Sequence, residues 1–276
     1  MIKSYAKINL SLSVIKKLRS NLHNIESLIA FIDLYDKIYI KETFGKNHKI
    51  KFYGKFAKKI PRENTVFNLL KELDKKKLLN KKYQINIYKK IPLESGMGGG
   101  SMNAASILKY LVDKKKININ SKNLKSLTKK IGSDVILGMH NKSIIFTKDK
   151  VIRLKKKINL YMVILKPNFG CSTKKIYSKI KKYSKSNLNR LKKKYGNLKY
   201  LKNLNNDLEK VAINLYPKLY IYKEYMLKLP MVSFVRMTGS GSSIIGYFTS
   251  KKASINASKI LKKKFKNYLC ISSKTI

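Results

Sequence analysis

Near the start of the chain, Ile8, Leu10, Leu12 and Val14 alternate with Asn9, Ser11 and Ser13. A period of two predicts a β-strand with one apolar and one wet face, and Lys7 and Asn9 share the wet one. "SLIAFIDLYDKIYI" (27–40) reads as one or two further strands. "TVFNLLKELDKKKLL" (65–79) has helical spacing, with Asn64 placed to cap it. "YQINIYKKIP" (83–92) alternates again and runs into a glycine-rich stretch. Residues 101–114 and 123–130 read as helices, the second stopped by Gly132, and 143–154 as a hairpin. A second region opens near Ile158 with the strand "LYMVILKP", continues through a lysine-laden helical middle over about 174–230, and passes a strand–loop–strand at 233–248. It closes with a helix near 251–266. Strands and helices mix without regular βαβ alternation, which predicts an α+β fold in two domains, 1–156 and 157–276.

Composition adds limits. The 276 residues match the length of about two domains, and 43% hydrophobic content allows sizeable cores. The longest apolar block, "LYMVIL" (160–165), is strand-sized, far below the roughly 18 residues of a membrane span, so no membrane role is expected. The alternating N-terminus lacks the apolar run and small-residue cleavage site of a signal peptide. With two cysteines, Cys171 and Cys270, and no CxxC, it points to a cytoplasmic protein with free thiols and no zinc site. The net charge of +49 suggests nucleic acid, but only five of the 63 basic residues are arginine. Lysine is spread along the whole chain, isoleucine and asparagine are abundant and tryptophan is absent, which is the mark of AT-rich codons. A dedicated nucleic-acid surface favours arginine for bidentate contacts, so no specific nucleic-acid partner is expected. The charge still favours polyanions and draws anionic substrates towards a cleft.

The chemistry concentrates at "PLESGMGGGSMNAA" (92–105). A strand, a proline, a glycine-rich turn, Ser101 and then a helix make a place for phosphate, because a helix N-terminus offers unpaired N–H groups and glycines let them approach. Ser101 can bond phosphate or a bound cation. The alternative is a tight structural turn. No GxxxxGK[ST] occurs, and no protein-kinase motif set. A second cluster, "TGSGSS" (238–243), is either a hairpin turn or a second wall of the same site. Asp134, in "IGSDVILG", is either a helix cap or a general base or metal ligand. Glu94 stands out, because a carboxylate facing phosphates is repelled. It is expected to point to solvent or to pair with Lys89 or Lys90.

Together these stretches resemble the GHMP kinase superfamily. "SYAKINLSLSV" resembles its PAKxNLxLxV, "IPLESGMGGGSMNAA" its LPxxxGLGGGSSNAA, and "MTGSGSSIIGYF" its MSGxGxxxFxxF. "NLHNIESLIAFIDLYDKI" resembles GYHxLxTxxxxLDLxD, and "IGSDV" resembles GADVP. The first and fourth narrow the likeness to a branch acting on a cytidine-diphosphate-bearing alcohol in isoprenoid precursor synthesis. The resemblance implies a ribosomal-protein-S5-like N-terminal domain, a ferredoxin-like C-terminal domain and a site in the cleft between them. It implies ATP and Mg²⁺, a small-molecule substrate, a monomer or weak homodimer, and transfer of the γ-phosphoryl group to a 2-hydroxyl. Asp134 would accept the hydroxyl proton, while Lys7 would orient the hydroxyl and keep Asp134 ionised. Lys89 and the loop of Pro92, Leu93, Glu94, Ser95, Gly96, Met97, Gly98, Gly99, Gly100, Ser101 and Met102 would bind ATP. Asn9, Gly239 and Gly241 would contact substrate, His23 would recognise the cytosine, and Tyr177 would stack on it with Thr173 nearby. Leu22, Glu94, Ser95, Met102 and Ile136 depart from the family pattern, and Lys7 and Asp134 do not. Homoserine- or mevalonate-type kinases and a non-catalytic RNA-binding descendant are the competing readings.

Overall fold

The computed structural model describes residues 1–19, 22–140, 142–147 and 150–276. Two long strands, β1 (Ile2–Lys17) and β2 (His23–Thr43), open the chain, so the stretch read as one or two strands is one. β3 (Lys49–Tyr53), α1 (Thr65–Lys75), β4 (Lys82–Tyr88), α2 (Gly99–Asp113) and α3 (Ser121–Ile131) follow. A 3₁₀ turn, Val135–Met139, leads to β5 (Ile144–Thr147) and β6 (Lys150–Arg153). These two pair antiparallel as expected; residues 148 and 149 of that hairpin, and Asn21 in the fourth family stretch, lie outside the described residues. Then come β7 (Tyr161–Lys166), α4 (Thr173–Ser178), α5 (Leu188–Lys194), α6 (Leu198–Lys202), α7 (Asp207–Leu215) and α8 (Lys218–Leu227). β8 (Phe234–Met237), β9 (Ile244–Phe248), α9 (Lys251–Lys264) and β10 (Leu269–Lys274) end the chain.

The chain forms two compact units. The first is Met1–Ala6, Leu34–Leu93 and Gly98–Asn141; the second is Lys7–Asp33, Glu94–Met97 and Lys142–Ile276. In the first, β2 runs antiparallel to β4, from Lys37 opposite Tyr88 to Thr43 opposite Lys82, and β3 lies parallel on the other edge of β4. The even-numbered side of β2 and the odd-numbered isoleucines of β4 turn inward. Ile38, Ile85 and Ile87 are fully buried against Leu69 and Leu73 of α1, Leu108 of α2 and Leu127 of α3. Asn64 caps α1 as expected, its Oδ1 accepting from Val66 N (3.0 Å) and Phe67 N (3.2 Å). The helix ends at Lys75, short of the expected Leu79, because Lys77 turns left-handed at φ 53° and Leu78 N bonds back to Leu73 O (3.0 Å).

In the second unit an antiparallel sheet is ordered β10-β7-β9-β8. β7 is paired on both edges and nearly all buried, as a continuous apolar run requires. α9 packs Ala253, Ala257 and Leu261, four residues apart, into the core that contains Val163, Leu165 and Phe248. β3 and β10 are not evident from the sequence. Both are short, with lysine or serine interrupting the pattern, and β10 is held by a partner more than a hundred residues away. Arg236 is the unit's buried guanidinium, 4% exposed. It donates to Leu10 O, to Leu201 O (3.0 Å) and to Lys202 O (3.3 Å), and lies over the Phe234 ring. A lysine has one ammonium on a flexible stem and cannot span these acceptors. Arg236→Lys should therefore lose about 1–3 kcal/mol of stability, read as a lower urea midpoint at unchanged slope.

Candidate active site

In the first unit the glycine stretch becomes the start of α2. Gly98 is its N-cap in the left-handed region, φ 68° and ψ 21°, and no side chain caps it. The first-turn amides of Gly99, Gly100 and Ser101 are thus presented for an anion. The helix begins at Gly99 and not at the expected Ser101, so two glycines sit inside its first turn. Packing explains them: a Cβ on Gly99 would stand 2.9 Å from Ile91 Cγ2 and 3.3 Å from Lys89 Nζ, and one on Gly100 would stand 3.0 Å from Thr65 Oγ1. Met102 faces the core at 1% exposure, against Gly138. Pro92 is buried and Leu93 half-buried.

Lys89 is only 4% exposed and is ion-paired with the fully buried Asp36. Asp36 Oδ1 also accepts from Lys90 N (2.7 Å) and Ile91 N (2.9 Å), so one carboxylate fixes the chain that enters the loop. Burial pushes the Lys89 ammonium below its usual pKa, and Asp36 opposes this. Asp134 precedes the 3₁₀ turn, and its side chain makes no capping hydrogen bond, which removes the helix-cap reading. Its segment runs beside α2, since a Cβ on Gly132 would lie 3.7 Å from Ser101 Oγ.

In the second unit the polar face of β1 is buried, contrary to the wet face expected. Lys7, Asn9 and Ser11 are 5%, 3% and 3% exposed. They survive burial because they are bonded to one another and to β2. Lys7 Nζ donates to Asn9 Oδ1 (2.8 Å), Asn9 Nδ2 to Ser27 Oγ (2.8 Å), and Leu28 N to Ser11 Oγ (3.1 Å). Lys7 N also donates to Met97 O (3.1 Å) and Asn9 N to Thr238 Oγ1 (2.9 Å). The strand is thereby tied to both glycine clusters. Those clusters touch: the Thr238 carbonyl occupies the space beside Gly96 (φ 72°), and a Cβ on Gly239 (φ 53°) would come within 2.9 Å of Gly96 O. Asn206 Nδ2 holds the second cluster through Met237 O (2.9 Å) and Gly239 O (2.8 Å), and Glu209 Oε2 accepts from Met237 N (2.7 Å).

Glu94 does not pair with Lys89, whose partner is Asp36. It is exposed, has φ 48°, and lays its side chain on Gly170. Its carbonyl accepts from Ser242 N (3.3 Å), while Ser242 Oγ donates to Phe169 O (2.6 Å). Lys166 Nζ donates to Pro167 O and Phe169 O, each at 2.8 Å. Burial lowers the Lys166 pKa, and the nearby Cys171 and Glu94 oppose it. Burial pushes the Cys171 thiol up to about 11. Thr173 bonds Ser240 (2.7 Å), so the turn at 169–173 rests on both glycine clusters. The His23 and Tyr177 rings meet at 5.0 Å between centroids, tilted by 34°. Burial first, and the charge of Lys17 second, lower the pKa of His23.

The sequence reading misses the supports: Asp36, Glu209, Asn206 and Lys166. "NNDLE" does carry a capping-box signature, Asn206 three residues before Glu209. Asn206 caps α7, but the Glu209 carboxylate turns to Met237 N and Lys223. The fit of Glu94 on Gly170 is testable. Gly170→Ala should destabilise the protein by about 1–3 kcal/mol by overpacking, and adding Glu94→Gly, which removes the Cβ together with the carboxylate and suits the φ of 48°, should restore most of the loss in thermal or urea unfolding.

Two family models match the chain: "GHMP kinases N terminal domain" over residues 64–143 and "GHMP kinases C terminal" over residues 186–267. The chain is 54% identical to the 4-diphosphocytidyl-2-C-methyl-D-erythritol kinase of Pelagibacter ubique, covering 100% of this chain and 98% of that protein. It is 33% identical to the enzyme of that name from Clostridium tetani, covering 96% of each. A crystal structure of 4-(cytidine 5'-diphospho)-2C-methyl-D-erythritol kinase shares the fold with a TM-score of 0.80 at 21% identity, over 99% of this chain and 98% of that one. With its α+β architecture, buried Lys7–Asn9 pair and two interlocked glycine clusters, the chain belongs to the GHMP kinase family, among the 4-diphosphocytidyl-2-C-methyl-D-erythritol kinases.

Proposed function

We propose that this protein transfers the γ-phosphoryl group of ATP to the 2-hydroxyl of 4-diphosphocytidyl-2-C-methyl-D-erythritol. The observation that carries the reading is full-length 54% identity to a kinase of that name, in a chain that keeps Lys7, Asn9, the glycine loop and Asp134. Phosphoryl transfer depends mostly on positioning and charge stabilisation, with little covalent work for the protein. The uncapped amides at Gly99–Ser101 receive phosphate oxygens, and Gly96 and Gly98 let the backbone close on them. Asp134 takes the proton of the attacking hydroxyl. Lys7, its ammonium oriented by Asn9, adds the positive charge that the transferring group needs. Glu94, turned to Gly170, adds no carboxylate to the phosphate site. His23 and Tyr177 receive the cytosine, with Thr173, Gly239 and Gly241 lining the approach.

Among the described residues, no cluster of three or more His, Cys, Asp or Glu is arranged to hold a metal. Magnesium fits this donor set as an ion carried mainly by the nucleotide phosphates, with the Ser101 hydroxyl and the Asp134 carboxylate as protein oxygens. When bound it would neutralise phosphate charge. We assign residues 1–156 to the ATP-binding half and 157–276 to the C-terminal half. Two buried free thiols suit a reducing cytoplasm, and we assign the protein there as a monomer or weak homodimer.

Phosphorus NMR of the purified protein with ATP and each candidate acceptor tests the reading. A new phosphomonoester should appear with the cytidyl alcohol, while homoserine and mevalonate stay unmodified; the reverse pattern rejects it. Asp134→Asn should lower kcat by about 10²–10⁴-fold while ATP binding, measured by calorimetry, persists. The lowered pKa of His23 keeps the ring neutral at pH 7 and charges it only below its ordinary value of about 6.5. KM for the cytidyl substrate should therefore be flat from pH 8 to about 6.5 and rise below it. His23→Gln should remove that rise, and a KM profile identical in the variant would exclude His23 from recognition.

A further inference from the structure

The sheet of the first unit has an outer face that the kinase reading leaves unused. The register brings Lys37, Tyr88 and Tyr53 into one cross-strand row, and Tyr39, Asn86 and Lys51 into the next. Tyr39, Tyr53 and Tyr88 are 43%, 37% and 44% exposed. Their rings are in contact: Tyr53 stacks on Tyr88 at 4.8 Å and 19°, and Tyr39 meets Tyr88 edge-on at 5.8 Å. The following row adds Lys41 and Lys49, and none of these positions is acidic. The opposite side of the same strands is the isoleucine core, so the tyrosines contribute nothing to it.

We propose that this face binds single-stranded nucleic acid without sequence preference. An aromatic surface beside cations on an exposed sheet face suits that ligand: bases stack on the exposed rings and lysines track the phosphates. Charge complementarity selects a polyanion, since the chain carries +49 and the face only lysines. A second copy of the chain would bring Lys37, Lys41, Lys49 and Lys51 against like charges, which disfavours self-association through this face. The lysines, spread evenly along the sequence, give no sign of such a patch. Strand register assembles it from three segments. The proposal does not depend on the kinase reading.

Fluorescence anisotropy with a labelled oligothymidylate, against inorganic polyphosphate of matched charge as competitor, tests it. The intact protein should hold the oligonucleotide at least about tenfold more tightly than polyphosphate, because stacking adds to charge. Tyr39→Thr/Tyr53→Thr, at exposed strand positions where threonine is well tolerated, should lose that preference and keep its polyphosphate affinity. Ultraviolet crosslinking of an iodouracil-substituted strand to the unaltered protein should label peptides containing Tyr39, Tyr53 or Tyr88, which needs no variant to fold. Equal affinity for the two polyanions, an unchanged preference in the double variant, or crosslinks confined to other segments would overturn the proposal. It would also be overturned if the substitutions abolished only dimer formation in sedimentation, or only binding to phosphatidylglycerol vesicles.

Discussion

A buried polar strand face must satisfy every donor and acceptor it carries, and the second unit is arranged around that demand. Lys7, Asn9 and Ser11 of β1 are almost wholly out of water. An unpaired buried ammonium or amide costs several kcal/mol, so the strand is stable only with Ser27, Met97 and Thr238 held at bonding distance. Those partners belong to β2, the first glycine loop and the second. The same bonds that make burial tolerable therefore also fix Met97 and Thr238 against β1. One hydrogen-bond network thus both satisfies the buried polar face and holds its side chains in fixed positions.

The supports of the glycine loops follow a common rule. Backbone groups that glycine leaves bare are tied down by side chains from elsewhere in the chain: Asp36 for residues 90 and 91, Asn206 for residues 237 and 239, Glu209 for residue 237. Of 14 acidic residues, several are used as internal acceptors of backbone N–H groups. Two of these carboxylates take a lysine as well, Asp36 pairing with Lys89 and Glu209 with Lys223. Lys166 follows the complementary pattern, its buried ammonium donating to two carbonyls of the turn that carries Cys171.

Local signals were legible in the sequence. Asn64 capped α1, the alternating segments became strands, and the strand–glycine–helix order of 83–114 appeared as read, with the helix start two residues earlier. What could not be read depended on distant partners. The polar side of β1 looks wet because serine and asparagine usually face water, but its partners, Ser27, Met97 and Thr238, come from distant parts of the chain. Lys89 lies next to the loop and within sequence reach of Glu94, but Asp36, 53 residues away, holds it. Glu94 was an oddity in sequence and is a fitted residue in structure, because Gly170 leaves room for its carboxylate. The outward tyrosines come from three strands whose register no local pattern specifies.

The two cysteines give the molecule an internal clock. Cys171 and Cys270 are 5% and 4% exposed, with thiols raised to about 11. At neutral pH each is almost entirely the unreactive thiol, shielded from reagents as long as its surroundings stay closed. Cys171 lies in the turn against Gly241, whereas Cys270 is paired opposite Leu165 within the sheet. Alkylation of the first thus counts openings of the turn against the second glycine cluster, and alkylation of the second counts openings of the sheet. Their relative rates would rank how readily each region breathes without any label being introduced.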